Sequence, residues 1–349
     1  MLRPCGEGDS LSIGYITLAY TLTHSDDIRR KRCSWIWLLG WCVLVLSAWP
    51  CWATASLRVV TTVAPLTDLV TRVGGEAIEL HGLVPAGTNS HTFQPTPGDV
   101  KFLAQADLII LNGLHLEVPT EKLARHNAKP GAVFVYLGDR TISKAEWVFD
   151  FSFPKAGGHP NPHLWLNVAY AMHYVELIRD QLSAQDSANA ALYQDNAARL
   201  LDTLERLDRC ISTALRTIPP PHRKLLTYHD SWPYFAKRYG MTIVGAIQPA
   251  NFAEPSAREV ARMIDQLRRE KVPAIFGSEV FPSKVLEKIA QEAHVHYVSN
   301  LRDDVLPGDP GEPQHSYVGM MMTNVTTMVD ALGGEAVTLQ QCFQHPPAR

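Results

Sequence analysis

The chain has 349 residues, of which 46% are hydrophobic and 19% are charged, and its formal net charge is −3. This composition is ordinary for a globular protein, and the length is sufficient for two domains. A charge balance this close to neutral gives no support for nucleic acid or an anionic membrane surface as the partner.

The N-terminal segment has the features of an export signal. A basic block at 29–32 precedes an apolar run at 35–49, and small residues at 53–55 form a cleavage motif before Ser56. The apolar run is shorter than the roughly 20 residues that a membrane-spanning helix needs. We therefore expect a cleaved signal peptide and a periplasmic mature protein. A lipid anchor on Cys51 is the less favoured alternative, because the two residues before it are bulky.

In the first half of the mature chain, strand-like runs alternate with helix-like segments. The capping residue Thr96 followed by Pro97 is typical of a helix start. The predicted strands lie at 57–63, 78–84, 107–111 and 132–136, and the predicted helices at 66–74 and 97–105. Such alternation predicts a parallel sheet that is covered by helices on both faces.

The middle of the chain, from about 167 to 218, contains no glycine or proline and is rich in good helix formers. Leucines recur at near-helical spacing, which predicts a long helix from Ser187 to Ile218. At 1.5 Å per residue this helix would be about 48 Å long, which exceeds the diameter of one small domain. We therefore expect it to connect two lobes as a rigid backbone.

After Pro219 the strand and helix segments alternate again. The predicted strands lie at 224–228, 242–247, 274–277 and 296–298, and the predicted helices at 232–239, 256–271, 282–293 and 316–332. The sequence thus predicts an α/β fold of two lobes with parallel-type sheets flanked by helices. The predicted boundaries are an N-terminal extension and signal peptide at 1–55, an N-terminal lobe at 56–166, a helical linker at 167–221 and a C-terminal lobe at 222–349.

Only two cysteines, Cys210 and Cys342, follow the export signal. Cysteines in an oxidising compartment can pair, but the sequence gives no distance between them, so the pairing stays open. The chain has no CxxC spacing, and a thiolate metal site is therefore not favoured.

Four side chains stand out as metal-ligand candidates: His91, His163, His229 and Asp303. They lie at junctions between strand-like and helix-like segments. Ligands in open α/β sheets bind outside the carboxyl ends of strands, and two facing strand ends form a cleft. Three imidazoles and one carboxylate complete a tetrahedral shell for a borderline-soft ion such as Zn²⁺.

Each candidate taken alone has an ordinary explanation, because a loop histidine or aspartate is usually just solvated. His159 competes with His163 as a ligand, and Asp304 competes with Asp303. Asp230 and Glu279 are candidates for orienting the histidine rings from behind. Because ligation needs neutral imidazoles, affinity is expected to fall below about pH 6.5.

Six sequence blocks, in order, resemble the metal-binding receptors of bacterial ABC importers for zinc and manganese, a group called cluster A-I or cluster 9. The resemblance covers essentially all of 57–345. The blocks are VVTTVAPLTDLV at 59–70, VPAGTNSHTFQPTPGDVKFLAQADLIILNGLHLE at 84–117, NPHLWLN at 161–167, TYHDSWPYFAKRYG at 227–240, FGSEVFPSKVLEKIAQEA at 276–293 and SYVGMMMTNVTTMVDAL at 316–332.

This resemblance implies a ligand role for the same four residues. His91 matches the first ligand, although Ser90 replaces the usual proline, and His163 matches the second ligand in the block NPH-x-W. His229 matches the third ligand, which is histidine in some members and glutamate in others. Asp303 matches the carboxylate ligand.

The resemblance also implies the function: a periplasmic receptor that captures Zn²⁺ and delivers it to an ABC transporter membrane permease. The expected protein is a monomer and not an enzyme, with no nucleic-acid partner and with a metallochaperone as a possible loading partner. Mn²⁺ or iron is the close alternative cargo. A secreted zinc hydrolase with Asp303 as general base, and an adhesin, are distant alternatives. The His-rich loop of many zinc members is missing, since 118–160 contains only His126 and His159.

Overall fold

The computed structural model describes four stretches of the chain, which are 56–85, 87–248, 255–278 and 284–345, apart from the side chain of Asn300. The predicted signal peptide at 1–55, with Cys51, and the predicted ring-orienting Glu279 lie outside the described residues. Within the described stretches, no helix is both long enough and apolar enough to cross a membrane.

The first half of the described chain forms a four-stranded parallel sheet. Its strands are β1 (Leu57–Thr61), β2 (Ile78–Gly82), β3 (Leu108–Leu111) and β4 (Val133–Tyr136), in the order β2-β1-β3-β4. The helices around it are α1 (Ala64–Gly74), α2 (Pro97–Leu103), α3 (Val118–Asn127) and α4 (Leu137–Thr141). All four predicted strands are present, with slightly different ends.

Local capping explains where α2 begins. The backbone N–H and the hydroxyl of Thr96 both donate to the Asp99 carboxylate, at 2.6 and 2.9 Å, in a capping box. Helix α3 was not predicted. It buries only Thr120 and Ala124, so its sequence lacks the apolar periodicity that marks most helices.

The helical middle of the chain consists of two helices, α5 (Val168–Gln185) and α6 (Ala190–Leu215). The turn between them is held by the Asp186 carboxylate, which accepts hydrogen bonds from the Tyr193 hydroxyl at 2.6 Å and the Asn189 amide at 2.7 Å. The predicted long helix is therefore confirmed, but it is shorter at both ends than predicted. Its 26 residues span about 39 Å at 1.5 Å per residue.

The second half contains another four-stranded parallel sheet. Its strands are β5 (Lys224–Thr227), β6 (Thr242–Ala246), β7 (Ala274–Ser278) and β8 (His296–Leu301), in the order β6-β5-β7-β8. Its helices are α7 (Pro233–Tyr239), α8 (Ala257–Glu270), α9 (Lys284–Ala293), α10 (Tyr317–Ala331) and α11 (Val337–Gln344), of which α11 was not predicted. When the strands of each sheet are counted from the first strand of that sheet, both sheets have the order 2-1-3-4, although the sequence shows no repeat.

The long helix α6 packs against α1 from the first half of the chain, α5 from the helical middle, and α10 and α11 from the second half. A disulfide between Cys210 and Cys342 joins α6 to α11, which settles the pairing that the sequence left open. The larger hydrophobic core includes Val60 from the first sheet and Phe276 from the second. The predicted class, two parallel sheets flanked by helices with one long helix, is confirmed.

Candidate metal centre

The four predicted ligand residues lie close to the carboxyl ends of strands or at the start of a helix. His91 is in the loop between β2 and α2, His229 follows β5, and Asp303 follows β8. His163 directly precedes a helical turn that leads into α5. Because both sheets are parallel, the loops after their strands collect at one edge of each sheet. The fold thereby brings together residues that are far apart in sequence.

The three histidines form one compact cluster. Their ligand-capable atoms all lie within 4.8 Å of one another. The Nε2 atom of His163 is 3.3 Å from that of His91 and 3.0 Å from that of His229. Nitrogens bound tetrahedrally to zinc at about 2.0–2.1 Å are separated by about 3.3–3.4 Å. The cluster therefore has the dimensions of three corners of a metal coordination shell.

Desolvation favours the neutral form of His91 and His163. His163 and His229 are buried, whereas His91 is partly exposed. Desolvation, and next the neighbouring His229, lower the pKa of His91 well below its ordinary value, and desolvation with both neighbouring histidines does the same to the pKa of His163. Protons therefore compete with a metal for these two rings only at a lower pH than the 6.5 expected from the sequence.

Two amide side chains orient the buried rings. The Nδ1–H of His163 donates to Oδ1 of Asn161 at 2.8 Å, and the Nδ1–H of His229 donates to Oε1 of Gln248 at 2.6 Å. An amide oxygen can only accept, so the proton stays on Nδ1 and the Nε2 lone pair faces the cluster. Sequence reasoning missed both residues. Asn161 lies only two positions before His163, so its proximity could have indicated its role. Nothing in the sequence around Gln248 indicated a contact with His229.

Asp230, which was predicted to orient the histidine rings, has different hydrogen-bond partners. Its Oδ2 accepts a hydrogen bond from the Ser152 backbone N–H at 2.9 Å, and its carbonyl accepts one from the Asn161 amide. The Ser152 hydroxyl also donates to the Gln248 carbonyl at 2.7 Å. Asp230 therefore helps to hold the loop around Ser152 against the second half of the chain, beside the cluster.

The two adjacent aspartates differ in position. Oδ2 of Asp303 lies 3.8 Å from Nε2 of His229, whereas Oδ2 of Asp304 accepts a hydrogen bond of 2.7 Å from the Ser90 hydroxyl. Burial, and next the charge of Asp303, raise the pKa of Asp304 to about 7. The indole N–H of Trp165 donates to the Asp303 carbonyl at 2.8 Å and holds this loop in place. This geometry favours Asp303 over Asp304 as the carboxylate of the cluster.

The rival histidine does not join the cluster. His159 is exposed, and its ring stacks on that of His115, with the centroids 3.5 Å apart. Among the described residues, the histidine, cysteine and acidic side chains that meet as a potential metal-binding group are His91, His163 and His229.

Two parallel sheets with three clustered histidines near their strand ends and the start of a helix form a fold with a potential metal-binding site. The family model for the periplasmic zinc-uptake complex component A, ZnuA, matches residues 59–331, so the chain belongs to this family. Members of the family are solute-binding transport proteins and not enzymes, which excludes the zinc-hydrolase alternative.

Two curated relatives show the same relationship across nearly their whole length. The metal ABC transporter substrate-binding lipoprotein FimA of Streptococcus parasanguinis is 29% identical over 80% of this chain and 90% of its own. The manganese ABC transporter substrate-binding lipoprotein PsaA of Streptococcus pneumoniae is 28% identical over 79% of this chain and 89% of its own.

Solved structures match the fold. The periplasmic zinc-binding protein TroA of Treponema pallidum has a TM-score of 0.72 and 26% identity, covering 80% of this chain and 99% of its own. The Mn-bound periplasmic metal-binding protein of Candidatus Liberibacter asiaticus has a TM-score of 0.69 and 26% identity, covering 79% and 99%. The chain is therefore a metal-binding, ABC-type substrate-binding protein with a two-lobe fold.

Proposed function

We propose that this protein captures Zn²⁺ with His91, His163, His229 and Asp303 and delivers it to an ABC permease. The observation that carries the proposal is the spacing of the three Nε2 atoms, with 3.3 and 3.0 Å between neighbours. A set of four protein ligands leaves no open position for an activated water. Such a site holds and releases an ion and does not catalyse a reaction on it.

The donor set favours zinc. Imidazoles suit Zn²⁺, whereas Mn²⁺ prefers a larger share of oxygen ligands. Manganese is the second candidate cargo, because PsaA and other relatives of similar identity are named manganese-binding lipoproteins. TroA is named a zinc-binding protein, and a related structure holds cadmium. The third ligand position, His229 here, is the residue through which we expect this choice to be made.

The test is calorimetric titration of the metal-free protein with Zn²⁺ in the presence and absence of excess Mn²⁺. One tight zinc site that excess manganese does not displace supports the proposal. The His229→Glu variant adds an oxygen ligand, so its preference should move towards Mn²⁺, with His173→Glu, outside the cluster, as the matched control. Saturable manganese binding with weak zinc binding in the wild type would instead assign the protein to manganese uptake.

The site of action follows from the same proposal. We propose an exported monomer with a cleaved signal peptide and a mature N-terminus at Ser56, which acts on its permease from outside the inner membrane. A metallochaperone remains a candidate loading partner. Several relatives are named lipoproteins, which makes a lipid on Cys51 the alternative. Mass spectrometry of the protein recovered from cells distinguishes a chain that begins at Ser56 from one that begins at a lipidated Cys51.

A further inference from the structure

A cavity of about 320 Å³ lies beside the histidine cluster. Of the three clustered histidines, His91 is the one that lines this cavity, and it is also the one that is partly exposed. His163 and His229 are buried behind it. The cavity therefore provides a path from solvent to the cluster, and the first cluster ring that an incoming ion meets on this path is His91.

Two further histidines line the same cavity. His115 and His159 are both exposed, and their rings stack with centroids 3.5 Å apart and planes inclined by 14°. Imidazole nitrogens are preferred ligands of zinc-like ions. Because both side chains are exposed, their rings can rotate so that one nitrogen of each faces a shared ion. The pair thus offers two metal ligands in the same cavity that His91 lines.

The backbone at His115 is held in a conformation that a non-glycine residue rarely adopts. Leu114 and His115 have φ angles of 50° and 69°, both in the left-handed region. The Leu114 N–H donates to the Asp139 carboxylate at 3.0 Å, and a side chain at the preceding Gly113 would overlap that same carboxylate. Strained residues of this kind concentrate at functional positions. The fold therefore fixes His115 in front of the cavity in spite of the strain.

The surroundings suit a site that binds an ion briefly. Partial desolvation, and next the neighbouring His159, lower the pKa of His115, so its ring is neutral and able to bind a metal near neutral pH. Apart from the histidines, the cavity wall is largely apolar and includes Leu116, Phe153 and Pro160. Apart from the Ser152 hydroxyl, this wall offers no polar side chain that would retain an ion on the way inward.

We propose that His115 and His159 form a transient receiving site for Zn²⁺-like ions, from which the ion passes through the cavity to His91 and the buried cluster. This inference rests on the proposed function of the cluster. Since the pair is not part of the final site, it should lower the barrier for binding and for release equally. Its loss should therefore change both rate constants and leave the equilibrium affinity unchanged.

The test is stopped-flow mixing of Zn²⁺ with metal-free protein, purified from cells that express the full chain. Tryptophan fluorescence serves as the signal, because the Trp165 ring lies 5.1 Å from that of His163. The variant is His115→Asn/His159→Asn, because asparagine tolerates the left-handed backbone at 115. The matched control is His126→Asn, an exposed histidine on α3 that does not line the cavity.

We expect the association and dissociation rate constants of the double variant to fall together by several-fold, with the control unchanged. Rate constants equal to those of the control would overturn the receiving site, while tight zinc binding would leave the proposed function intact. A weaker equilibrium affinity caused by faster release would also overturn it, because the pair would then belong to the final site. Absence of zinc binding in the wild-type protein would instead contradict the proposed function of the cluster, on which the receiving site rests.

Discussion

At the scale of single residues, the site depends on side chains behind the candidate ligands as much as on the ligands themselves. Asn161 and Gln248 hold the buried rings of His163 and His229 through their Nδ1 atoms. Both partners are neutral amides. A carboxylate in the same place would make the imidazole a stronger base and a tighter ligand. The amides therefore suit a receptor that must also release its cargo.

Removing one of these amides should weaken metal binding without unfolding the protein. In Gln248→Ala the Nδ1–H of His229 loses this acceptor, and we expect zinc affinity to fall by roughly 10–100-fold. Calorimetry measures the change. Gln248→Glu is the companion variant and should bind more tightly and release zinc more slowly. Unchanged affinity in both variants would show that Gln248 does not position the ring.

Glu117 is a buried carboxyl group outside the metal cluster. Its oxygens accept hydrogen bonds from the Thr62 hydroxyl and the Asn112 and Gly113 backbone N–H groups, at 2.8, 2.7 and 3.1 Å. Burial outweighs these bonds and raises the pKa of Glu117 from 4.5 to about 7. A raised folded-state pKa contributes stability below the unfolded-state value, and this contribution is lost as the pH rises through the folded-state value.

The raised pKa of Glu117 should make the free energy of unfolding depend on pH in a measurable way. Between pH 4.5 and about 7, the Glu117 carboxyl ionises in the unfolded chain but stays protonated in the folded one, which should lower the free energy of unfolding by about 3 kcal/mol. The free energy of unfolding of the metal-free wild type should therefore decline, relative to Glu117→Gln, as the pH rises from acid to alkaline. Urea unfolding of both proteins at several pH values measures this difference. A difference that does not vary with pH would contradict the raised pKa.

At the scale of elements, α6 is the helix on which the two halves converge. Leu204, Leu207 and Ile211 are fully buried along its inner face. The disulfide from Cys210 on α6 to Cys342 on α11 closes a loop between residues 132 positions apart. A cross-link of this span restricts the unfolded chain strongly, because much of the chain lies between the two cysteines.

Removal of this disulfide should lower stability and leave metal binding intact. For Cys210→Ala/Cys342→Ala we expect a loss of about 3–5 kcal/mol in the free energy of unfolding. Zinc affinity should not change, because neither cysteine belongs to the cluster of His91, His163 and His229. Urea unfolding and calorimetry measure the two quantities, with wild type in reductant as the control. Equal stability of variant and wild type would contradict the expectation.

At the scale of the whole molecule, the cluster draws its residues from both halves of the chain. His91 and His163 come from the first half and His229 from the second, and the predicted fourth ligand, Asp303, also lies in the second half. The hydrogen bonds of Ser152 to Asp230 and Gln248 join the same two halves beside the site. A bound ion would therefore link the halves further. The lobe boundaries at 56–166 and 222–349 stay a prediction consistent with this arrangement.

Zinc should for this reason stabilise the whole fold. A ligand that binds only the folded state at 1,000 times its Kd adds about 4.1 kcal/mol. We expect thermal unfolding of the wild type to shift to higher temperature with zinc and to return after treatment with a chelator. His163→Ala should lose most of this shift, whereas His126→Ala should keep it. An equal shift in His163→Ala would place the bound zinc elsewhere.

Hydrophobic periodicity and capping residues act over short stretches of chain, so the α/β alternation, the two sheets and the long helix could be predicted from the sequence. The candidate ligands could be named because they lie at junctions between strand-like and helix-like segments and match the family blocks. The sequence did not determine where α6 begins, since a turn held by Tyr193 competes with continued helix. The pairing of Cys210 with Cys342 and the hydrogen bond of Gln248 behind His229 are visible only in the folded chain. Each of these depends on contacts between residues far apart in sequence, which form only when the two halves fold against one another.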